Sequence, residues 1–239
     1  MSELVNTVLV ISHKVTTGTQ TGTQTDMDIL EAIKSRRTIR TFQTRVPPRS
    51  LIESCLEAAT WAPSATNQQP WEFIVASGAE LRDVTDVTKR HFATRIKERP
   101  PFDQVPELYR KRQEDVFDAM NEAIREQGIN VQEMYAGSLR FFNAPYGVYF
   151  VTHKTHDYQY QVSVAAAIEN FLLAAVSHGL GTCWQGASVV CQEELKQHFG
   201  LAENKVLLAG VGVGYPAADA PLNNFRRKRA TVAECTTWL

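Results

Sequence analysis

A chain of 239 residues that is 44% hydrophobic can fill one large core, and no interior stretch reads as a linker between two domains. Its formal net charge of −1 argues against general affinity for nucleic acid or a polybasic grip on a membrane. Cys55, Cys183, Cys191 and Cys235 are scattered with no CxxC spacing, which fits a reduced, cytoplasmic protein rather than a disulfide framework or a zinc site.

Near the N-terminus only VLVI (residues 8–11) is apolar, shorter than the roughly 7 to 15 residues of a signal-peptide core. No apolar run anywhere approaches the roughly 20 residues that span a bilayer. A tandem TGTQ repeat follows with nothing to bury, so residues 1–26 are expected to form a disordered extension to a domain covering 27–239. Met27 begins the globular pattern and is a second candidate start.

MDILEAIKSRR sets Ile29, Leu30 and Ile33 at helical spacing and ends in arginines. In the next helix Ser50 and Glu53 have capping-box spacing, with Leu51, Ile52, Cys55, Leu56, Ala59 and Ala62 marking the buried face. APSATNQQPW (62–71) follows, where Ser64, Thr66, Asn67, Gln68 and Gln69 crowd between Pro63 and Pro70. That is more hydrogen-bonding capacity than a turn requires. WEFIVA reads as a buried strand.

Residues 79–139 are long, charged and mainly helical, interrupted by ERPPFDQVPE around Pro100, Pro101 and Pro106. Such a segment suits a lid or insert better than a central core element. NAPYGVYFVT gives a second buried strand. YQVSVAAAIENFLLAAVSHG is apolar on nearly every face and ends at Gly179, which predicts a helix buried all round, central or at a subunit interface. Glu169, Asn170 and His178 speak against a membrane helix. KVLLAGVGVGYP is the last long strand, and NNFRRKRATVAECTTWL looks extended.

Several motifs have bland readings. GVGVG (210–214) has the wrong spacing for a dinucleotide fingerprint, and Tyr215-Pro216 stands where a helix should begin. It reads instead as a strand closely approached by another backbone. His153 and His156 lack a third ligand, so no metal is expected there. His178 lies where it can complement the last helix carbonyls. No Ser-His-Asp or Cys-His arrangement can be placed.

The arginines invite two readings. Arg36, Arg37 and Arg40, with Thr38 among them, and the later run Arg226, Arg227, Lys228 and Arg229 are either solvated surface or a convergent phosphate site. Guanidinium forks and a hydroxyl suit a phosphate dianion. GLGTCWQGA (179–187) is likewise open: a glycine-spaced stretch that lets backbone N–H groups approach a planar ligand, or a helix-to-helix connection.

SRRTIRTF, APSATNQQPW, GLGTCWQGA and VGVGYP with FRRKR, in that order from Met27 to the C-terminus, together resemble the FMN-dependent nitroreductase family. The resemblance implies an α+β fold, with a mixed central sheet surrounded by helices in an entwined homodimer. It implies that Arg36, Arg37 and Thr38, joined by Arg227 and Arg229, bind the FMN phosphate. Arg40 faces the pyrimidine side of the flavin, where a cation stabilises charge developing on reduction. Pro63, Ser64, Ala65 and Asn67 reach over from the neighbouring subunit, with the prolines holding the loop extended. Trp184, Gln185 and Gly186 line the ring near N5, and Gln185 stands where some members have glutamate, so no charged acid is expected there.

The implied chemistry is ping-pong transfer of two electrons, carried by FMN N5 and not by a side chain. NADH or NADPH is the donor, and a planar electron-poor aromatic, above all a nitroarene, or a quinone is the acceptor. In the family the stretch matching residues 79–139 usually shapes the acceptor pocket, and with Phe92, Phe102, Tyr109, Phe117, Tyr135 and several arginines this one resembles the branch acting on nitroaromatic acids and similar compounds. Rival readings are a specialised relative (a dehalogenase or dehydrogenase of another small molecule), a flavin-binding protein without turnover, and a nucleic-acid binder using FRRKR.

Overall fold

Four stretches of backbone pair edge to edge in the computed structural model, which describes residues 27–95, 105–155 and 158–239. They are β1 (Glu72–Ser77), β2 (Tyr146–His153), β3 (Gly181–Gln185) and β4 (Lys205–Gly214), in the spatial order β1-β2-β4-β3 with every neighbour antiparallel. The sheet is thus antiparallel in its strands, not mixed. The parallel pairing among the described residues is the isolated bridge from Thr38 to Thr182.

The β2 and β4 side chains alternate between two cores, as a sheet covered on both faces requires. Val148, Phe150, Ala209, Val211 and Val213 face one side, against α2 (Arg49–Thr60) and α6 (Gln159–Ser177). Tyr149, Val151 and Leu207 face the other, against α3 (Gly78–Arg95) and α7 (Gln192–Phe199). Leu207 and Ala209 lie on opposite faces because the register slips between Phe150 and Val151, a bulge that reverses the side-chain parity of β4. A buried side chain such as Phe171 or Ile168 contributes roughly 1.5–3 kcal/mol.

Two of the three glycines of the last strand face Phe141, and the third, Gly214, faces Pro145 and Phe42. A Cβ at Gly210 or Gly212 would run into Phe141, and one at Gly147 would meet both Phe141 and Leu81. The strand reading of GVGVG therefore holds, with a side chain as the principal close neighbour. Phe141, Phe142 and Asn143 deliver that wedge with three successive positive φ angles, 51, 53 and 59°.

Several expectations need correction. α2 begins at Arg49 behind Pro48, so Ser50 falls inside the first turn and caps nothing; Glu53 pairs with Arg49 instead, at 2.7 Å. β1 is an edge strand with Glu72, Val75 and Ser77 exposed, not a fully buried one. α6 is buried on one face through Val164, Ile168, Phe171 and Ala175, while Val162 is 59% exposed in the single chain. By length and composition this helix passes for a membrane span, but that buried face packs on the sheet.

The C-terminal run is not wholly extended, for it holds short helices α8 (Pro221–Asn224) and α9 (Val232–Cys235), the latter closed by a Thr231–Glu234 capping box. GLGTCWQGA is not a helix-to-helix connection: Gly179 (φ 69°) follows α6, and Gly181–Gln185 form β3. His178 turns its ring to the Ser54 hydroxyl at 2.9 Å rather than to helix carbonyls.

Of the 79–139 segment, α3 is a core helix through Leu81, Val84 and Val87. α4 (Glu107–Glu126) and α5 (Val131–Ser138) form a satellite core with Leu222 of α8, built on Met120, Ala123, Ile124 and Met134. The 1–26 extension, His156, Phe102, Pro100 and Pro101 lie outside the described residues. His153 is taken up by Lys205, 2.8 Å away.

Candidate functional site

α1 (Ile29–Ser35) is capped by the Asp28 carboxylate, which accepts from the backbone N–H groups of Leu30 and Glu31. The chain leaves it extended and runs along β3: Thr38 pairs with Thr182, and the Ile39 N–H donates to the Thr182 carbonyl at 2.8 Å. Gly181 permits this approach, since a Cβ there would strike Ile39. Arg36, Arg37, Thr38 and Arg40 thereby lie along the free edge of β3.

The tail brings the second basic run to the same place. Arg37 Nη1 donates to the Phe225 carbonyl at 2.9 Å, and the Arg40 guanidinium lies 5.8 Å from the Phe225 ring centroid. Arg227 reaches the Lys34 carbonyl at 3.2 Å. Burial holds the Arg227 guanidinium below its ordinary range, and the positive charges of Arg229, Arg37 and Arg36 press it in the same direction. Four cations from two ends of the chain therefore share one region.

Their counter-charge is small. Arg36 Nε is 3.3 Å from Glu169 Oε1, without the alignment of a hydrogen bond. Lys228 turns away to Asp115 at 3.0 Å, and Arg226 is exposed. Of the later run it is Arg227 and Arg229 that share the electrostatic neighbourhood of Arg36 and Arg37.

Arg40 and β3 form the adjoining wall. Burial lowers the Arg40 pKa, although arginine keeps its proton in proteins. Arg40 Nη1 and Gln185 Oε1 are buried with no hydrogen-bond partner among the described residues. Among the described residues Gln185 Nε2 reaches only the Cys183 sulfur, at 3.6 Å. The Cys183 thiol is pushed up to about 11 by burial, against the opposing pull of Arg40 and of the Gln185 hydrogen bond. Trp184 is 44% exposed, and a Cβ at Gly186 would meet open space. Buried polar atoms are nearly always satisfied, so these orphans and the excess positive charge mark a surface shaped for an anionic, hydrogen-bonding ligand.

Pro63, Ser64, Ala65 and Asn67 are not drawn to this group by any hydrogen bond or ion pair among the described residues. Their loop packs near α6 and is coiled, not extended. Ala65–Asn67 form a 3-10 turn, Thr66, Asn67 and Gln69 have φ of 48, 59 and 50°, and Ser64 Oγ accepts from the Gln69 N–H at 3.0 Å. The prolines frame a tight turn here. Three left-handed non-glycine residues, one of them β-branched, are strain concentrated in one exposed loop.

Sequence reasoning missed Asn223, Gln127 and Glu169. Each is one polar residue in a polar or helical stretch, with no spacing to signal it.

The model of the Nitroreductase family matches residues 33–215. Among relatives, a 4-nitrobenzoate reductase of Nocardioides sp. (strain LMS-CY) is 26% identical over 219 residues, covering 87% of this chain and 88% of its own. A chloronitrobenzene nitroreductase of Comamonas testosteroni is 25% identical over 217 residues, covering 87% and 96%. Among solved structures, the FMN and NADPH-dependent nitroreductase NfnB from sphigopyxis sp. strain HMH superposes with a TM-score of 0.81 at 24% identity, covering 89% of this chain and 99% of that one. At that identity the likeness establishes the α+β fold.

Proposed function

The chain belongs to the nitroreductase family, and from that premise we propose that it is a cytoplasmic, homodimeric FMN-dependent oxidoreductase that reduces nitroaromatic compounds with NADH or NADPH. The observation that carries this reading is the convergence of Arg36, Arg37, Arg227 and Arg229 with, among the described residues, the Glu169 carboxylate paired to Arg36. The named relatives act on nitrobenzoate and chloronitrobenzene, and the structural neighbour is FMN- and NADPH-dependent. When bound, FMN supplies hydride acceptance from the nicotinamide and two-electron donation to the acceptor.

The residues present fit that group. The four arginines and the Thr38 hydroxyl offer charge-assisted hydrogen bonds to a phosphate dianion. Arg40, desolvated and with Nη1 unpartnered, supplies a fixed positive charge beside the ring, where negative charge is stabilised most strongly in a water-poor site. Trp184, Gln185 and Gly186 would line the ring, with backbone N–H groups as donors toward it, and Gln185, whose Oε1 is unpartnered, would place an uncharged carboxamide there.

Across the dimer, the partner subunit's Pro63, Ser64, Ala65 and Asn67 cover the cofactor, which gives the strained loop a use. The exposed Ile29, Leu30 and Ile33 of α1 and Val162 of α6 supply the apolar surface that dimerisation buries. A bound FMN would serve a nicotinamide and an acceptor in turn, which would favour flat, electron-poor aromatics, quinones among them.

The test is direct. The purified protein is expected to be yellow, to release FMN on denaturation at close to one per chain, and to oxidise NAD(P)H steadily with 4-nitrobenzoate. A colourless protein that takes up no FMN would overturn the reading. FMN binding without turnover on any nitroarene or quinone would reduce it to flavin binding.

A further inference from the structure

We infer that Asn223 is a positioning residue whose carboxamide sets the register between the two arginine-bearing segments and so builds the phosphate end of the site; this rests on the FMN reading above. Asn223 is buried, at 4% exposure. Its Oδ1 accepts from the backbone N–H groups of Arg40 (2.8 Å) and Thr41 (3.1 Å). Its Nδ2 donates to the carbonyls of Thr41 (2.8 Å) and Ala217 (2.9 Å). Both acceptor positions and both donor hydrogens of the amide are therefore used.

The orientation of the amide is fixed by its surroundings. Flipping it would set two N–H groups against the NH2 and two carbonyls against the oxygen. Aspartate lacks the donors and leucine lacks everything, so the chemistry at this position specifies a carboxamide.

The consequence lies further along both segments. With the backbone at Arg40 and Thr41 clamped to Asn223, Arg37 meets the Phe225 carbonyl, and the chain beyond brings Arg227 and Arg229 into the field of Arg36 and Arg37. A slip of one residue would present Arg226 and the Asp115-paired Lys228 instead. Gln127, at the end of α4, reinforces the clamp: its Nε2 donates to Thr41 Oγ1 at 3.0 Å, and its Oε1 accepts from the Leu222 N–H at 3.2 Å.

The test separates positioning from simple stability by comparing a ligand that carries the phosphate with one that lacks it. Dissociation constants for FMN and riboflavin are measured by flavin fluorescence on the flavin-stripped full chain, for wild type, Asn223→Ala and Gln127→Ala. Asn223→Ala is expected to lower the preference for FMN over riboflavin by about tenfold or more, with riboflavin binding nearly unchanged. Gln127→Ala is expected to lower it by a smaller factor. An unchanged FMN-to-riboflavin ratio in Asn223→Ala, whether both affinities hold or fall together, would overturn the inference. Should that variant fail to fold, Gln127→Ala decides alone by the same ratio. A wild-type chain that binds riboflavin as tightly as FMN would instead sink the phosphate reading, and this inference with it.

Discussion

Arg36 and Arg229 come from opposite ends of the sequence and share a local field with few counter-charges. Like charges held together destabilise a fold unless an anion answers them, so each arginine has more to gain from a phosphate than an isolated surface cation would. Replacing either with Ala removes a charge-assisted contact of about 1.5–3 kcal/mol. FMN affinity is expected to weaken by roughly one to two powers of ten, read by equilibrium dialysis. Unchanged retention in both variants would contradict the assignment. Arg226→Ala is the matched control, because that side chain is exposed outside the cluster, and it is expected to leave affinity within about twofold.

At the scale of elements, the last strand depends on glycine where Phe141 wedges beneath it. In Gly210→Ala the new methyl meets the Phe141 ring and Ser188 Oγ. Overpacking of this kind costs about 1–3 kcal/mol, expected as a lower urea midpoint with little change in slope.

Two thiols give these elements a pH dependence. Burial pushes Cys183 in β3 up to about 11 and Cys55 in α2 up to about 12, from an ordinary 9.0. Because the folded values lie above the unfolded ones, the stability these thiols contribute is complete below the unfolded value. It is lost as pH rises through the folded values, by up to about 1.4 kcal/mol per pH unit for each thiol. Urea unfolding across the alkaline range should show this decline, and Cys183→Ala and Cys55→Ala should each flatten it. A slope unchanged in both variants would place the titration elsewhere.

The elements also show what sequence can and cannot convey. WEFIVA, APYGVYFVT and KVLLAGVGVG were legible as strands because each is an apolar run bounded by turn residues. β3 was not: GTCWQ is five residues without alternation, and it becomes a strand because β4 offers an edge and Gly181 admits Ile39. The 62–71 loop was conspicuous in composition but not in shape, since Thr66 and Gln69 adopt left-handed backbone that their residue types disfavour. The arginine runs stood out by charge density. Asn223 and Gln127 acquire meaning only when the chain ends fold together.

For the whole molecule, the exposed apolar face of α1, Val162 on α6 and Trp61 at 81% exposure form more apolar surface than a lone chain readily leaves in water. The protein is expected to be a dimer at all accessible concentrations. Light scattering on dilute protein checks this, and a stable monomer that keeps its flavin would contradict the shared site. Removing residues 1–26 is expected to leave both dimer and flavin intact, since the helical pattern begins after them. Loss of folding in that truncation would assign them a structural role.

In the proposed reaction one cofactor, held by this chain's arginines, alternates between a nicotinamide and a nitroarene. The measurement that reaches it most directly is an anaerobic titration of the purified yellow protein followed by visible absorption. Adding NADH or NADPH is expected to bleach the flavin band fully with no acceptor present. Adding 4-nitrobenzoate is then expected to restore it with no nicotinamide remaining. A band that neither nicotinamide bleaches, or that bleaches and is restored only by air, would contradict the account.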